Sequence, residues 1–267
     1  MGWASPACPS WMRYAMYKII AAALLFTTAA SADPAQDIVA GADRVRNPDR
    51  AFHLTSTTIE YDNGKPTDRI VFSVSSKPDP ATRQFRDLVI YVDPPRDAGK
   101  MVLFRGNVLW FYDPASKDSI RIPPQQILFG QASAGDILTE NLAVNYTATL
   151  QGTDTIDDAE RVKRTCWHLD LKPANESATY DRVEYWVEQG SYNPIKAKFY
   201  ADSGRLLKIL YYRKFVQSLD RVRPTEAVII DAVNPALVTV LTFSDMQYRD
   251  IPDFWFQRDY LPQVKAE

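Results

Sequence analysis

Side chains that could carry out catalysis or hold a metal are sparse in this sequence. The two histidines, His53 and His168, each lack a second histidine or a cysteine at ligand spacing, so no zinc site is expected. His168 falls on the polar side of an alternating run and reads as a solvated surface residue. There is no G-x-S-x-G elbow, because Gly130 and Gly135 bracket Ser133 with one residue too many before it. Glu184 and Glu188 share one face of a strand but stand about 13 Å apart, too far for a glycosidase pair. Asp157-Asp158 reads as turn chemistry. Asn145-Tyr146-Thr147 and Asn175-Glu176-Ser177 fit a glycosylation pattern that chance produces often. Cys166, beside Trp167, reads as a small apolar neighbour rather than a reactive thiol. The expectation is a binding protein, not an enzyme, with no metal and no cofactor.

Composition agrees with a folded binding protein. Of 267 residues, 24% are charged, 46% hydrophobic and 12% aromatic, with six Trp, fourteen Tyr and twelve Phe. Ten glycines against eighteen prolines argue against a glycine-rich phosphate cradle. The formal charge of −2 supplies no basic surplus, so no nucleic acid is expected as a partner.

The first 32 residues read as a leader rather than as part of the fold. Arg13 and Lys18 precede an apolar run over 19–30, and Ala30-Ser31-Ala32 offers small residues for cleavage before Asp33. The run is about a dozen residues, short of the ~20 that a membrane-spanning helix needs. A short N-terminal anchor is the alternative. Translation starts at Met1, Met12 or Met16 on this reading. Cleavage removes Cys8 and leaves Cys166 alone, so no internal disulfide is expected and stability must come from the core. It also removes two bases and no acid. The expected organisation is a signal peptide over 1–32 and one domain over 33–267, located in the periplasm.

Within that domain the patterns predict one clear helix and about a dozen strands. Asp33 reads as an N-cap with Pro34 first in the helix; Ile38, Val39, Ala42 and Val45 follow at helical spacing, and Asn47-Pro48 ends it. From Phe52 the period is two. Strands are expected around 52–61, 70–74, 88–92, 101–104, 108–112, 144–150, 167–171, 183–187, 195–199, 206–215, 228–230 and 237–243. Asn63-Gly64, Arg105-Gly106-Asn107, Gln189-Gly190 and Asp202-Ser203-Gly204 mark turns of antiparallel hairpins. Between them, Ser133 and Asp136 resemble a capping box, with Ile137, Leu138 and Leu142 on one face of a short helix. Glu184, Glu188, Lys196, Lys198 and Lys208 read as solvated outer-face charges that pair across strands. The run 108–112 is apolar on both faces, so both must be covered; helices on the concave side of a curved sheet would supply one cover.

Several stretches, taken in order, resemble the outer-membrane lipoprotein-sorting protein family, the LolA-like superfamily. Residues 106–114, GNVLWFYDP, are similar to its G-x-x-x-W-x-Y-x-P strand. Phe129-Gly130 followed by Asp136-Ile137-Leu138 resembles the next segment. Tyr185-Trp186-Val187, Tyr192-Asn193-Pro194-Ile195-Lys196 and Gly204-Arg205-Leu206-Leu207-Lys208 resemble three consecutive strands. Thr242-Phe243, Ile251-Pro252-Asp253, Phe256 and Tyr260-Leu261 resemble the tail. The resemblance spans roughly 35–262. It implies a mainly β fold with a few helices, in which an antiparallel incomplete barrel is covered by a helical lid. It also implies an apolar cavity for acyl chains or other amphiphiles.

On that resemblance the chain is expected to be a soluble periplasmic carrier. Such a protein binds acyl chains of a lipoprotein or lipid and delivers them to an envelope membrane protein. The alternative is a sensor or adaptor that uses the same cavity to regulate a membrane protein or exporter. Phe104, Val108, Trp110, Tyr112, Trp186, Phe199 and Tyr211 are the candidate cavity residues. The competing possibility is that these rings pack as core. An acyl chain of about fifteen methylenes gains roughly 12 kcal/mol on leaving water, at ~0.8 kcal/mol per CH₂. Opening a lid must offset part of that gain if cargo is to be released.

Overall fold

Pro34, whose ring presets the helical φ, opens helix α1 (Pro34–Arg46). Ala35, Ile38, Val39, Ala42 and Val45 line its buried side. Arg44 and Arg46 occupy the last turn, where positive charge favours the helix terminus. The computed structural model describes residues 1–2, 34–106 and 108–264. The leader beyond residue 2, the Asp33 cap and Asn107 therefore lie outside the described residues.

Thereafter the period-two segments become strands. On one side of the sequence these are β1 (Phe52–Asp62), β2 (Lys65–Asp79), β3 (Gln84–Asp93), β4 (Met101–Arg105), β5 (Val108–Asp113) and β6 (Asp118–Ile122). A connection follows, holding the small hairpin β7 (Ile127–Phe129) and β8 (Ala132–Ser133), then the single turns α2 (Ala134–Ile137) and α3 (Leu142–Asn145). The remaining strands are β9 (Tyr146–Asp157), β10 (Lys163–Pro173), β11 (Arg182–Glu188), β12 (Pro194–Tyr200), β13 (Leu206–Ser218), β14 (Arg221–Asp231) and β15 (Leu237–Tyr248). Two 3₁₀ turns, Asp253–Phe256 and Arg258–Gln263, end the described chain.

Thirteen strands form one antiparallel sheet in the order β6-β5-β4-β3-β2-β1-β15-β14-β13-β12-β11-β10-β9. The chain meanders outward from β1 to one edge. It then crosses to the other edge and meanders back until β15 pairs with β1. The sheet must curl. β3 and β10 are fourth and twelfth in the order, about 38 Å apart if flat at ~4.8 Å per strand. Yet Phe85 and Val89 of β3 share one core with Leu169 and Leu171 of β10 and with α1. The edges β6 and β9 do not pair, so the barrel is incomplete. This is the mainly β, lidded half-barrel expected from the sequence.

Two details of the expectation change. The short helix over 134–142 is interrupted at Leu138, and the next strand starts at Tyr146 because 142–145 form α3. Lys208 is not an outer-face charge. It pairs directly with Phe199 across β12 and β13, which places it on the inner face, 5% exposed. Glu184 and Lys198 do pair outside, at 3.6 Å.

The strand β5 is covered on both faces, as its composition requires. Leu109 and Phe111 face the inner core. On the other face, Tyr112 joins Leu88, Ile90, Met101 and Leu103 beneath Ile251, Phe256 and Leu261 of the C-terminal tail, with Trp110 packed alongside.

Candidate ligand-binding site

The connection over 123–145 must run from one sheet edge to the other, and it does so across the inner face. Beneath it lies a cavity of about 110 Å³. Phe52, Leu54 and Val74 wall it from β1 and β2; Phe199, Leu210 and Tyr212 from β12 and β13; Phe243 and Met246 from β15. Ile137, Leu138 and Leu142 form its roof. Strand alternation explains the set on β1, β2, β12 and β13, and on β15 a register shift between Ser244 and Gln247 lets Phe243 and Met246, three residues apart, line the same cavity.

The roof is held by polar contacts. Asp136 is the densest node: its carboxylate accepts hydrogen bonds from the Ser133 backbone N–H (2.7 Å), Ser133 Oγ (2.8 Å), Tyr180 OH (3.0 Å) and Lys208 Nζ. Lys208 also donates to the Gln131 carbonyl at 3.1 Å. Burial pushes the Tyr180 phenol well above its usual range, and the neighbouring Asp136 adds to the effect. The bond from the Ser133 N–H to Asp136 is the reciprocal half of the expected capping box.

Further along, Thr139 Oγ1 lies 2.7 Å from Ser76 Oγ, which donates to Asp87 at 2.5 Å. Asp87 is fully buried, and its second oxygen has no partner among the described residues. Burial pushes its carboxyl up to about 7, against the hydrogen bond from Ser76. The end of α1 and the residue after it grip the next residue: Arg46 Nη2 (2.7 Å) and Asn47 Nδ2 (2.8 Å) both donate to the Glu140 carbonyl. The Glu140 carboxyl is likewise raised to about 7 by burial. Asn141 and Gln84 exchange two bonds, and the Ala143 N–H donates to Asp43.

Two glycines let the roof approach its supports. A Cβ at Gly130 would meet Thr239 Oγ1 at 2.4 Å, and its φ of +51° suits glycine. A Cβ at Gly135 would meet Thr179 Oγ1 at 2.1 Å.

The residues expected to line the cavity divide between the two faces. Phe199 lines it. Phe104 is also inward and walls a small adjoining space that shares Gly135, Leu138, Thr139 and Glu140 with the cavity. Trp110 and Tyr112 lie on the outer face against the C-terminal tail, and Val108 shares their parity. Trp186 stacks on His168 at 4.4 Å and donates to Asp154, outside. Tyr211 is outside too, 5.2 Å from Lys196 Nζ. The motif that drew attention to 108–112 is thus half outer face, and its inward residues are Leu109 and Phe111.

Sequence reasoning passed over Asp87 and Tyr180, took Asp136 only as a capping residue and placed Lys208 on the outer face. A signal existed for two of them. Lys208 alternates with Leu206, Leu210 and Tyr212, and Asp87 with Phe85, Val89 and Tyr91, so each is a charge on an apolar stripe. Arg46 and Glu140 carry no comparable signal, because their pairing depends on tertiary contact.

Comparison with known proteins gives one fold. A LolA superfamily protein from Nitrosomonas europaea is 34% identical, with a TM-score of 0.76 over 86% of this chain and 100% of that one. A putative outer membrane lipoprotein-sorting protein domain from Vibrio parahaemolyticus shares the fold at 18% identity, with a TM-score of 0.72 over 85% and 98%. A DUF1329 family protein from Desulfovibrio piger does so at 21% identity, with a TM-score of 0.72 over 86% and 100%. A family model described as an uncharacterized protein matches residues 84–263. No curated protein matches.

Proposed function

The chain belongs to the LolA superfamily, and on that premise we propose that it is a soluble periplasmic carrier of acyl chains. It takes up the hydrophobic part of a lipoprotein or lipid beneath the 123–145 connection and delivers it to an envelope membrane protein. Export requires the leader over 1–32, cleaved before Asp33, and residues 33–267 then act as a single domain. The protein works by binding, without catalysis or cofactor.

One observation carries this reading: a largely apolar cavity sits between an incomplete barrel and a roof whose apolar packing is joined by a set of polar ties. A purely apolar roof would seal the cavity as core. Polar ties can instead be exchanged for water when the roof lifts, so opening costs less than exposing an equal area of core. That cost offsets part of the gain from burying the chain and keeps release possible. Among the residues expected at the site, ligand contact is assigned to Phe199, with Phe104 beside it. Val108, Trp110, Tyr112, Trp186 and Tyr211 support the sheet from its outer side.

Native mass spectrometry of the protein purified from its own host tests the proposal. A lipid adduct that survives purification is the expected result. Protein that is uniformly free of lipid, and that takes up none from envelope extract, would overturn it.

A further inference from the structure

The unclosed sheet has two edges, β6 and β9, and the chain treats them differently. At the start of β9 the side chain of Gln36 stands where a next strand would. Its Nε2 donates to the Tyr146 carbonyl (2.9 Å) and its Oε1 accepts the Ala148 N–H (3.0 Å). Farther along, a bulge leaves Gln151 without an opposite residue on β10, and Asp154 and Asp157 follow. Covering groups, bulges and charges are the usual guards against strand addition. No other element covers the β6 backbone in this way among the described residues. Beyond β5 it is met only by its own neighbours: Ser116 Oγ accepts the Asp118 N–H (3.3 Å), and Asp118 Oδ1 accepts the Ser119 N–H (2.7 Å).

The two faces of β6 differ in chemistry. Ile120 and Ile122 oppose Phe111 and Leu109, so they share the inner face. There they border an open groove of about 420 Å³ that Ile70, Phe111, Ile127 and Phe129 also line. Ile120 and Ile127 are 57% and 50% exposed. The charges at this groove are paired with one another, Arg96 with Asp68 and Asp97, and Lys100 with Asp97, which leaves an apolar guest favoured. Ser119 and Arg121 oppose Tyr112 and Trp110 on the outer face. Arg121 and Arg258 lie over the Trp110 ring, 5.9 and 4.5 Å from its centroid, and Arg258 Nε donates to Ser119 Oγ at 3.2 Å. Both guanidinium groups are exposed, and neither has a carboxylate partner among the described residues.

A strand added at ~4.8 Å from an edge sends alternate side chains to opposite faces. At β6 its inward side chains meet the apolar groove and its outward ones meet two cations without acids. We propose that β6 is the docking edge for an extended segment of a partner protein in which apolar residues alternate with acidic ones. Main-chain bonds to the open edge hold the segment. The groove receives its apolar side chains, and Arg121 and Arg258 select acids on the other face. The contact concerns the partner rather than the cargo, so it stands whatever the cavity holds.

Fluorescence anisotropy with a short labelled peptide that alternates valine and glutamate tests this. The unsubstituted protein should bind it and should bind the same peptide with lysine in place of glutamate more weakly. Ile120→Lys, at an exposed position on the inner rim, should weaken the glutamate peptide at least about tenfold. Arg121→Glu should reverse the preference between the two peptides. Leu150→Lys, on β9, should change nothing. Amide exchange over 118–122 should slow on binding, with 146–157 unaffected. Failure of the unsubstituted protein to bind, unchanged binding by Ile120→Lys, an equal loss from Leu150→Lys, or unprotected amides over 118–122 would each overturn the proposal. Dimers of the unsubstituted protein that Ile120→Lys dissolves, seen by sedimentation, would assign the edge to a second copy and overturn it too.

Discussion

Lys208 occupies a position whose neighbours along the strand are apolar, and it survives there because Asp136 meets it. Two buried charges do not stabilise a fold by themselves, since removing them from water costs about as much as their attraction returns. Their value is positional, because the pair ties α2 to β13. Lys208→Met should therefore destabilise the protein by about 3–5 kcal/mol in urea unfolding, through the Asp136 charge left behind. The double variant with Asp136→Asn should recover much of that loss, and a double variant no more stable than the single would contradict the account. Asp87 sets a pH dependence. Its folded pKa of about 7 lies above the unfolded ~3.9, so the neutral form is favoured in the fold. The stability it contributes is full below about pH 4 and is lost as pH rises through 7. Denaturation midpoints should fall between about pH 4 and 7 and level off above, and Asp87→Asn should flatten the fall; an unchanged slope would exclude Asp87 as its source. Trp110→Glu should lower stability by loosening the C-terminal tail while leaving acyl binding unaltered, as fluorescence titration would show.

At the scale of elements, the 123–145 connection is tied down differently from the strands beneath it. It packs apolar side chains on the core and adds side-chain hydrogen bonds and ion pairs to α1, β2, β3, β13 and β15, whereas the strands are joined by continuous ladders. Arg46→Met removes its bond to the Glu140 carbonyl and its pair with Asp43. Amide exchange over 139–145 should then quicken, with the β13 and β14 amides unchanged; equal exchange throughout would mean the roof is not a separate unit. The elements themselves were largely legible in the sequence, because period-two alternation and turn residues such as Asn63-Gly64 (φ 47° and 75°) are local signals. The helix α1 was legible from its apolar spacing and from Asn47-Pro48. The roof was less so. Its helix breaks at Leu138 because Asp136 and Thr139 are drawn to partners on distant strands, and no local pattern encodes that.

For the whole molecule, the topology accounts for the site. A meander that leaves the centre by one edge and returns by the other needs a connection across the curled face, and that connection is the roof. Which face holds the cavity was not legible from the aromatic run at 108–112, since the C-terminal tail covers one side of that strand as fully as the core covers the other. Deciding between parities needed the register of β3 to β5, in which Val102 opposes Phe111 and Leu103 opposes Trp110. The most direct measurement is photo-crosslinking with an acyl chain that carries a diazirine near its end, followed by peptide mapping. The account predicts labels on inward residues such as Leu54, Val74, Phe199, Leu210 and Phe243. Labels concentrated instead on Trp110, Trp186 and Tyr211 would place the guest on the outer face and contradict it.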